Sequence, residues 1–509
     1  MNIKLLRSSW PQRLLRAFSG LAFYRLIIGI FVFEAAWIAL SSHYPMAFDE
    51  DFHFGLINIY AHHLNPFLSS QPESANTYGA MFRDPSYLYH YLMSFPYRLI
   101  SLFTADQTIQ ILWLRALNIA LFTSGIAIFR RVMLNAGVSK ALSNSINAVF
   151  ILIPAFPLLA GQINYDNLIF PLAAIAMLLT LQLNHRLKQS KAVSVSRLTG
   201  LVVVCLTASL VKYAFLPIMI TLFAYIIVRY IQVFRSIKAI VVVILADWSK
   251  LAILIKLLIV ASLLVAVVFF SQRYFVNIAV YHTPIPDCAK VLNVEACSDY
   301  GPWIRDYSLN ATKTTVSANP VTYINQWLYG MWLRLFYALD GPTGQFNTKG
   351  PLVVPAWTAI VVAVLGGLLF IRYFRQIVRR RGGTVIALLL SVVMFYVLVL
   401  WLDEFRAYLR TGQPVAINGR YLLPIIIPAM ILLGFAFSEW LRSRLEYKLI
   451  LASVVILGMM WGGGALTFIL RSDNSWYWNN YYVRITNQAV QKYIGPLVPS
   501  GTNQQLYLR

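Results

Sequence analysis

The chain has 509 residues, of which 59% are hydrophobic and 12% charged. A soluble domain carries about 25% charged residues and 45–50% apolar ones, so a soluble multi-domain protein is excluded. The formal charge of +23, from 42 basic and 19 acidic residues, would point to nucleic acid in a soluble protein; here its distribution along the chain gives it another meaning.

Long apolar runs with few charges are transmembrane helix candidates. Eleven occur, at roughly 21–41, 107–128, 141–160, 167–184, 198–211, 214–234, 251–270, 351–371, 384–402, 421–438 and 449–470. They predict an all-α integral membrane protein with about 11 transmembrane helices. An outer-membrane barrel is excluded, because its strands would alternate apolar and polar residues over about ten positions. With the amino terminus inside, segments 1–20, 129–140, 185–197, 229–250, 372–381 and 441–448 lie inside and hold 23 Lys and Arg. The outside segments 42–106, 271–350, 403–420 and 471–509, with Lys212, hold 16 over more than twice the length. That asymmetry is the positive-inside signal. The net charge therefore reports orientation, no nucleic-acid partner is implied, and the carboxyl terminus lies outside. Fifteen of the nineteen acids fall outside, which marks that side as the polar face where chemistry belongs. The first run is longer than the 7–15 residue core of a signal peptide and reads as a retained anchor.

The runs make 1–470 one polytopic membrane domain in contact with the lipid bilayer, with 42–106 as a first outside loop and 271–350 as a second. Residues 471–509 form a short outside tail. Within the loops, 87–103 reads as an amphipathic interfacial helix. The stretch 321–339 is too polar and aromatic for a lipid-facing span and reads as interfacial or re-entrant. Trp476, Tyr477, Trp478, Tyr481 and Tyr482 resemble an aromatic belt at the membrane surface. The inside segments are too short for a catalytic domain, and no G-x-x-x-x-G-K-[ST] loop occurs, so nucleotide-driven transport is excluded.

Five clusters could carry chemistry. Asp49-Glu50-Asp51 and His53 follow the first span. On a helix Asp49 and His53 share one face, while Asp51 points about 200° away from Asp49; a carboxylate there can take a proton from a hydroxyl, or Asp49 can simply cap the helix. Asp84-Pro85 is either a helix start or a second carboxylate of the same pocket. Asn164, Tyr165 and Asp166 sit in a tight polar turn, suited either to a hairpin or to holding a sugar. Lys212 and Arg420 stand at outside ends of spans, where a lysine can snorkel and an arginine can anchor, and where both can grip a phosphate. Glu404 and Arg406 are a weaker cluster, a local ion pair. Cys288 and Cys297 lie nine apart in the second outside loop, where such a pair can oxidise to a disulfide. No standard metal spacing joins His53, His62 and His63.

In this order the motifs resemble the GT-C fold family of polytopic glycosyltransferases, in particular its bacterial members. Asp49-Glu50 with His53 looks like a D-E-x-x-H variant of that family's first-loop acidic motif. Asp84-Pro85 resembles its second acid, and the INYDN, LVKYAFLP and NGRYLLP stretches look like recurring features. The resemblance implies transfer of a sugar from a polyprenyl-phosphate-linked donor to a hydroxyl of a glycan, lipid or protein acceptor on the non-cytoplasmic side of the cell membrane. It implies Asp49, Glu50, His53 and Asp84 as catalytic residues, with Asp49 the general base of an inverting reaction. Lys212 and Arg420 would bind the donor phosphate, and Asp51, Asn164 and Asp166 would contact sugar or acceptor. No cofactor is required, although Asp49, Asp51 and Asp84 offer oxygen ligands to a divalent metal. The short tail argues against a protein-sequon transferase. The competing class is a transporter or lipid-linked sugar flippase, which would place polar residues near the midplane of several spans; only Glu34, Arg115 and Lys256 are charged well inside one.

Overall fold

The computed structural model describes residues 10–313, 319–336, 339–340, 345–346, 353–472 and 474–499; parts of the 271–350 loop and of the 471–509 tail lie outside the described residues. Almost everything described is helical. The ladder among these residues pairs Leu339–Asp340 antiparallel with Gln345–Phe346. In chain order, α1 (Trp10–Ser19) and α2 (Leu21–Ser41) are followed by α3 (Glu50–Ala61) and α4 (Leu88–Ser101) in the first loop. Then come α5 (Gln107–Asn135), α6 (Lys140–Ile151), α7 (Ala155–Ala160), α8 (Asp166–Ser190), α9 (Val195–Val211) and α10 (Leu216–Phe234). After α11 (Ile237–Ser249) and α12 (Ile253–Tyr281), the second loop carries α13 (Cys288–Val291), α14 (Val294–Ser298), α15 (Gly301–Ala311) and α16 (Pro320–Phe336). The chain closes with α17 (Val353–Arg381), α18 (Gly383–Thr411), α19 (Leu423–Trp440), α20 (Leu445–Met460), α21 (Ala465–Arg471) and α22 (Tyr481–Tyr493).

Nine segments among the described residues are long and apolar enough to cross a membrane: α2, α5, α8, α10, α12, α17, α18, α19 and the α20–α21 pair. This is an all-helical, multi-pass membrane protein. The two other apolar runs are helical but short or broken. α9 has 17 residues, and the 141–160 run is split between α6 and α7. Pro154 accounts for the split: it has no N–H and its ring clashes with the preceding turn. The 449–470 run is likewise interrupted, at Gly462 and Gly464, which take φ of 119° and 61°. The two breaks meet. Gly464 N donates to Leu152 O at 2.8 Å, and Ala465 N donates to Glu34 Oε1 of α2 at 3.4 Å. Backbone groups freed inside a membrane must find partners within the protein, and here each break supplies the other. Glu34 therefore serves a helix end, which explains a carboxylate in the first span.

The centre of the bundle is aromatic. Phe122 of α5 stacks on Phe31 of α2 at 5.2 Å and on Phe170 of α8 at 4.6 Å, and Phe150 of α6 stacks on Phe156 of α7 at 4.4 Å. All five rings are fully buried. This cluster fixes the helices beneath the polar end. Contacts show which ends gather. At one end Arg130 meets Asn144, Arg229 meets Asn184, Arg186 meets Asp247 and Arg380 meets Glu439. These are the basic segments of the positive-inside pattern, and they share one face of the bundle. The opposite face collects the end of α2, the start of α3, the α7–α8 and α9–α10 turns and the start of α19.

α4 carries exposed Leu92, Phe95 and Leu99, the apolar face expected of an interfacial helix. α16 is not among the candidate spans. It packs instead on the turn before α19, where a Cβ on Gly419 would lie 2.4 Å from Met331 O, so only glycine permits that approach. The tail differs from an aromatic belt. Trp476 and Tyr477 are buried, because the tail straps onto the end of α2: His43 N donates to Trp476 O at 2.8 Å, and Trp478 N to Ser41 O at 3.0 Å. Tyr481 and Tyr482 remain exposed.

Candidate active site

The acidic triplet divides by environment. Asp49 is not inside α3 but immediately precedes it, with φ 66° and ψ 37°. Phe48 is also left-handed, at φ 62°. Two consecutive left-handed non-glycine residues cost of order 1–3 kcal/mol each and persist only where surroundings hold them. The holders are Arg420 Nη1 and Asn164 Nδ2, which donate to Phe48 O at 2.9 and 2.8 Å. This kink turns the Asp49 carboxylate outward. Its side chain is 64% exposed, and Oδ2 accepts from Arg420 Nη2 at 2.8 Å.

Glu50 is the opposite case. It is fully buried and accepts from Arg115 Nε at 2.8 Å and Nη2 at 2.7 Å, from Met46 N at 2.8 Å and from Ile163 N at 3.1 Å. Arg115 also donates to Ala39 O, Ser42 O and His43 O. The pair ties together α2, α3, α5 and the α7–α8 turn, and leaves the Glu50 carboxylate no face for a substrate. Asp51 is exposed in the first turn of α3.

The helical face expected to join Asp49 to His53 does not form. Because Asp49 lies outside the helix, only their backbones meet, His53 N donating to Asp49 O at 3.1 Å. The His53 side chain points inward, and its Nδ1 lies 2.8 Å from His90 Nε2. The rings stack at 5.1 Å, and Tyr165 meets His53 edge-on at 4.6 Å. Burial first, then His90, Arg420 and Lys212, push the His53 pKa well below the ordinary 6.5. Burial pushes His90 down to about 3. Two neutral rings with facing nitrogens share one proton, one donating and one accepting.

Asp166 lies between the two cations. Lys212 Nζ donates to its Oδ1 at 2.6 Å, and Arg420 Nε approaches its Oδ2 to 4.0 Å. Neither Asp166 Oδ2 nor Arg420 Nε has a hydrogen-bond partner among the described residues. Lys212 also sits 4.6 and 4.9 Å from the rings of Tyr165 and Tyr421. Burial lowers its pKa, and the Asp166 carboxylate opposes that shift. Asn164 sets the turn, accepting from Asp166 N at 2.9 Å. Asn118 of α5 anchors it from below, accepting from Tyr89 Oη, Asn164 N and Asn167 Nδ2.

Asp49, Asn164, Asp166, Lys212 and Arg420, drawn from four separate segments, thus form one contiguous cluster. Its formal charge is zero, with one exposed carboxylate and two buried cations. Asp84 stands apart from it, half-buried, accepting from Ser86 N at 2.8 Å. Burial raises its pKa. It lines a neighbouring cleft with Tyr213, the residue after Lys212. Cys288 and Cys297 are joined in a disulfide in the second loop. Glu404, expected to form a local ion pair with Arg406, accepts instead from Trp327 Nε1 and so joins α18 to α16. Among the described residues no group of three or more His, Cys, Asp or Glu is placed to hold a metal ion. Sequence reasoning missed His90, Asn118 and the role of Arg115; only Arg115, a charge buried in a span, carried a signal.

No family model and no curated protein matches the chain. Among solved structures it is similar to the oligosaccharyltransferase of Archaeoglobus fulgidus, determined with an acceptor peptide containing the NVT sequon tethered through a disulfide. The two share 11% identity with a TM-score of 0.44, over 97% of this chain and 61% of that one. The chain therefore spans less than two thirds of that enzyme's length.

Proposed function

We propose that this protein is a membrane glycosyltransferase that moves a sugar from a polyprenyl-phosphate-linked donor to an acceptor hydroxyl on the non-cytoplasmic face, in cell-envelope glycan, glycolipid or glycoprotein assembly. The observation that carries the reading is the pairing of an exposed carboxylate, Asp49, with two buried cations at one polar end of a helical bundle. The basic residues gather at the opposite end, which supports an outside location for the site. A lipid-linked donor brings its phosphate to the membrane edge, where Lys212 and Arg420 stand.

The chemistry follows from the charges. Unloaded, Arg420 is spent on Asp49, and Lys212 on Asp166. A donor phosphate competes for both cations. Once Arg420 turns to the phosphate, Asp49 is released to accept the proton of the acceptor hydroxyl. The oxygen then attacks the anomeric carbon from the face opposite the phosphate, the bond from that carbon to the phosphate oxygen breaks, and the phosphate leaves with the electron pair. Lys212 and Arg420 stabilise the charge that develops on it. The product is inverted, through an oxocarbenium-like state of the kind that inverting glycosidases use. Glu50 acts as a strut, and His53 with His90 forms the floor. A flippase would need no such base.

The test is single-turnover transfer from a panel of polyprenyl-phosphate sugars by purified protein. Asp49→Asn should lower the rate by about 10²–10⁴-fold with donor binding retained, while Asp51→Asn should cost far less. Full activity in Asp49→Asn, or donor movement across vesicles without sugar release, would refute the proposal.

A further inference from the structure

Beside the charged cluster lies a cleft of about 620 Å³, within the range of about 300–1,000 Å³ typical of small-molecule sites. Its floor is shared with the cluster: Tyr213 directly follows Lys212, and Tyr213 N donates to Ser86 Oγ at 3.1 Å, two residues from Asp84. Its wall is the disulfide-closed second loop. We propose that this cleft is an acceptor subsite for a neutral or amine-bearing oligosaccharide. This rests on the glycosyltransferase reading above and names the acceptor class for it.

Five aromatic rings line the cleft, those of Tyr78, Tyr213, Tyr300, Trp303 and Tyr307. A sugar ring has an apolar C–H face and a hydroxyl edge, so it needs flat apolar surfaces with acceptors beside them. Tyr and Trp supply the surface at low entropy cost and keep a polar tip. The platform is fixed before any ligand arrives. Trp303 Nε1 donates to Asp287 Oδ1 at 3.0 Å, and Trp303 stacks on Tyr307 at 4.8 Å and 17°. Tyr300 packs against Gly79, where a Cβ would lie 2.9 Å from its ring, and lies 6.2 Å from Phe52 of α3. Asp287 caps the short helix that begins at Cys288, and Cys288 is tied to Cys297 by the disulfide. Pre-organised walls of this kind reduce the ordering cost of binding.

The charges decide which sugars enter. Three carboxylates line the cleft, Asp84, Asp287 and Asp306, against one lining cation, Arg410. Arg410 is already committed to Asp306 at 3.3 Å, and Arg305 approaches the same carboxylate at 2.7 Å. Carboxylates accept from sugar hydroxyls and amines, and repel uronate, sulfate and phosphate groups. The lining is too polar for an acyl chain.

The experiment uses the full-length protein in detergent on an array of neutral, amine-bearing and acidic oligosaccharides and of peptides. Donor hydrolysis to water is measured in parallel. Wild type should retain neutral or amine-bearing saccharides and no acidic ones. Trp303→Ala and Tyr307→Ala should each weaken that retention about tenfold or more, with donor hydrolysis unchanged. Retention of acidic saccharides or of peptides, retention indifferent to both variants, or an empty array would each overturn the subsite. Absence of sugar transfer from the panel of polyprenyl-phosphate sugars by wild type, with saccharide retention intact, would defeat the glycosyltransferase reading and leave the cleft standing.

Discussion

Asp49 and Glu50 are adjacent carboxylates with opposite expected phenotypes. Replacing Glu50 by Gln keeps the shape and removes the charge. Both Glu50 oxygens accept, each from Arg115 and from one backbone N–H. A glutamine must turn an NH2 group toward one of those donor pairs, and Arg115 is left charged and unpaired at zero exposure. Breaking a buried ion pair from one side costs about 3–5 kcal/mol, a large share of a typical stability of about 5–15 kcal/mol. Glu50→Gln should therefore sharply lower the thermal midpoint and the yield of monodisperse protein. Asp49→Asn removes a carboxylate that is 64% exposed, while the buried Arg420 keeps its bond to Phe48 O and its approach to Asp166, so this variant should unfold closer to the wild-type midpoint than Glu50→Gln while losing transfer. The assay is thermal unfolding in detergent beside single-turnover transfer. A Glu50→Gln protein with wild-type midpoint would refute the strut assignment.

Three further outcomes are expected. Asp166→Asn removes the carboxylate that holds Lys212 charged against its burial, so the lysine should lose its proton at lower pH and the alkaline limb of donor binding should move acidward; an unmoved pH profile would mean that Lys212 does not hold the phosphate. His53 and His90 are buried with pKa values below 6.5, so the unfolded chain binds more protons below that pH and stability falls as pH drops, read as a thermal midpoint that declines as the pH is lowered below about 6.5, and His90→Asn should flatten that dependence. Gly419→Ala places a methyl 2.4 Å from Met331 O and must move either α16 or the Arg420 turn; overpacking of this kind costs about 1–3 kcal/mol, and donor affinity should fall with stability.

What the sequence made legible follows from period and chemistry. Runs of apolar residues announce spans because nothing else tolerates them, and the Lys and Arg asymmetry marked the face on which the basic ends gather. Motif order brought Asp49, Asn164, Asp166, Lys212 and Arg420 to the same end, where the structure places them within contact of one another. What stayed hidden was how each charge is spent. Glu50 and Arg115 are 65 residues apart, Asp49 and Arg420 are 371 apart, and no local pattern records such pairing. The left-handed turn at Phe48 and Asp49 was also invisible, because neither residue type signals it as glycine would. That turn separates the Asp49 carboxylate from His53, sends one outward to Arg420 and the other inward to His90, and so turns two residues that a helical spacing would join into a surface carboxylate and a buried ring. The same cause explains the broken helices. Pro154 and the Gly462–Gly464 stretch were each readable as breakers, but that each break satisfies the other is a property of packing, and it is packing that sets the height of the α7–α8 turn on which Asn164 and Asp166 stand.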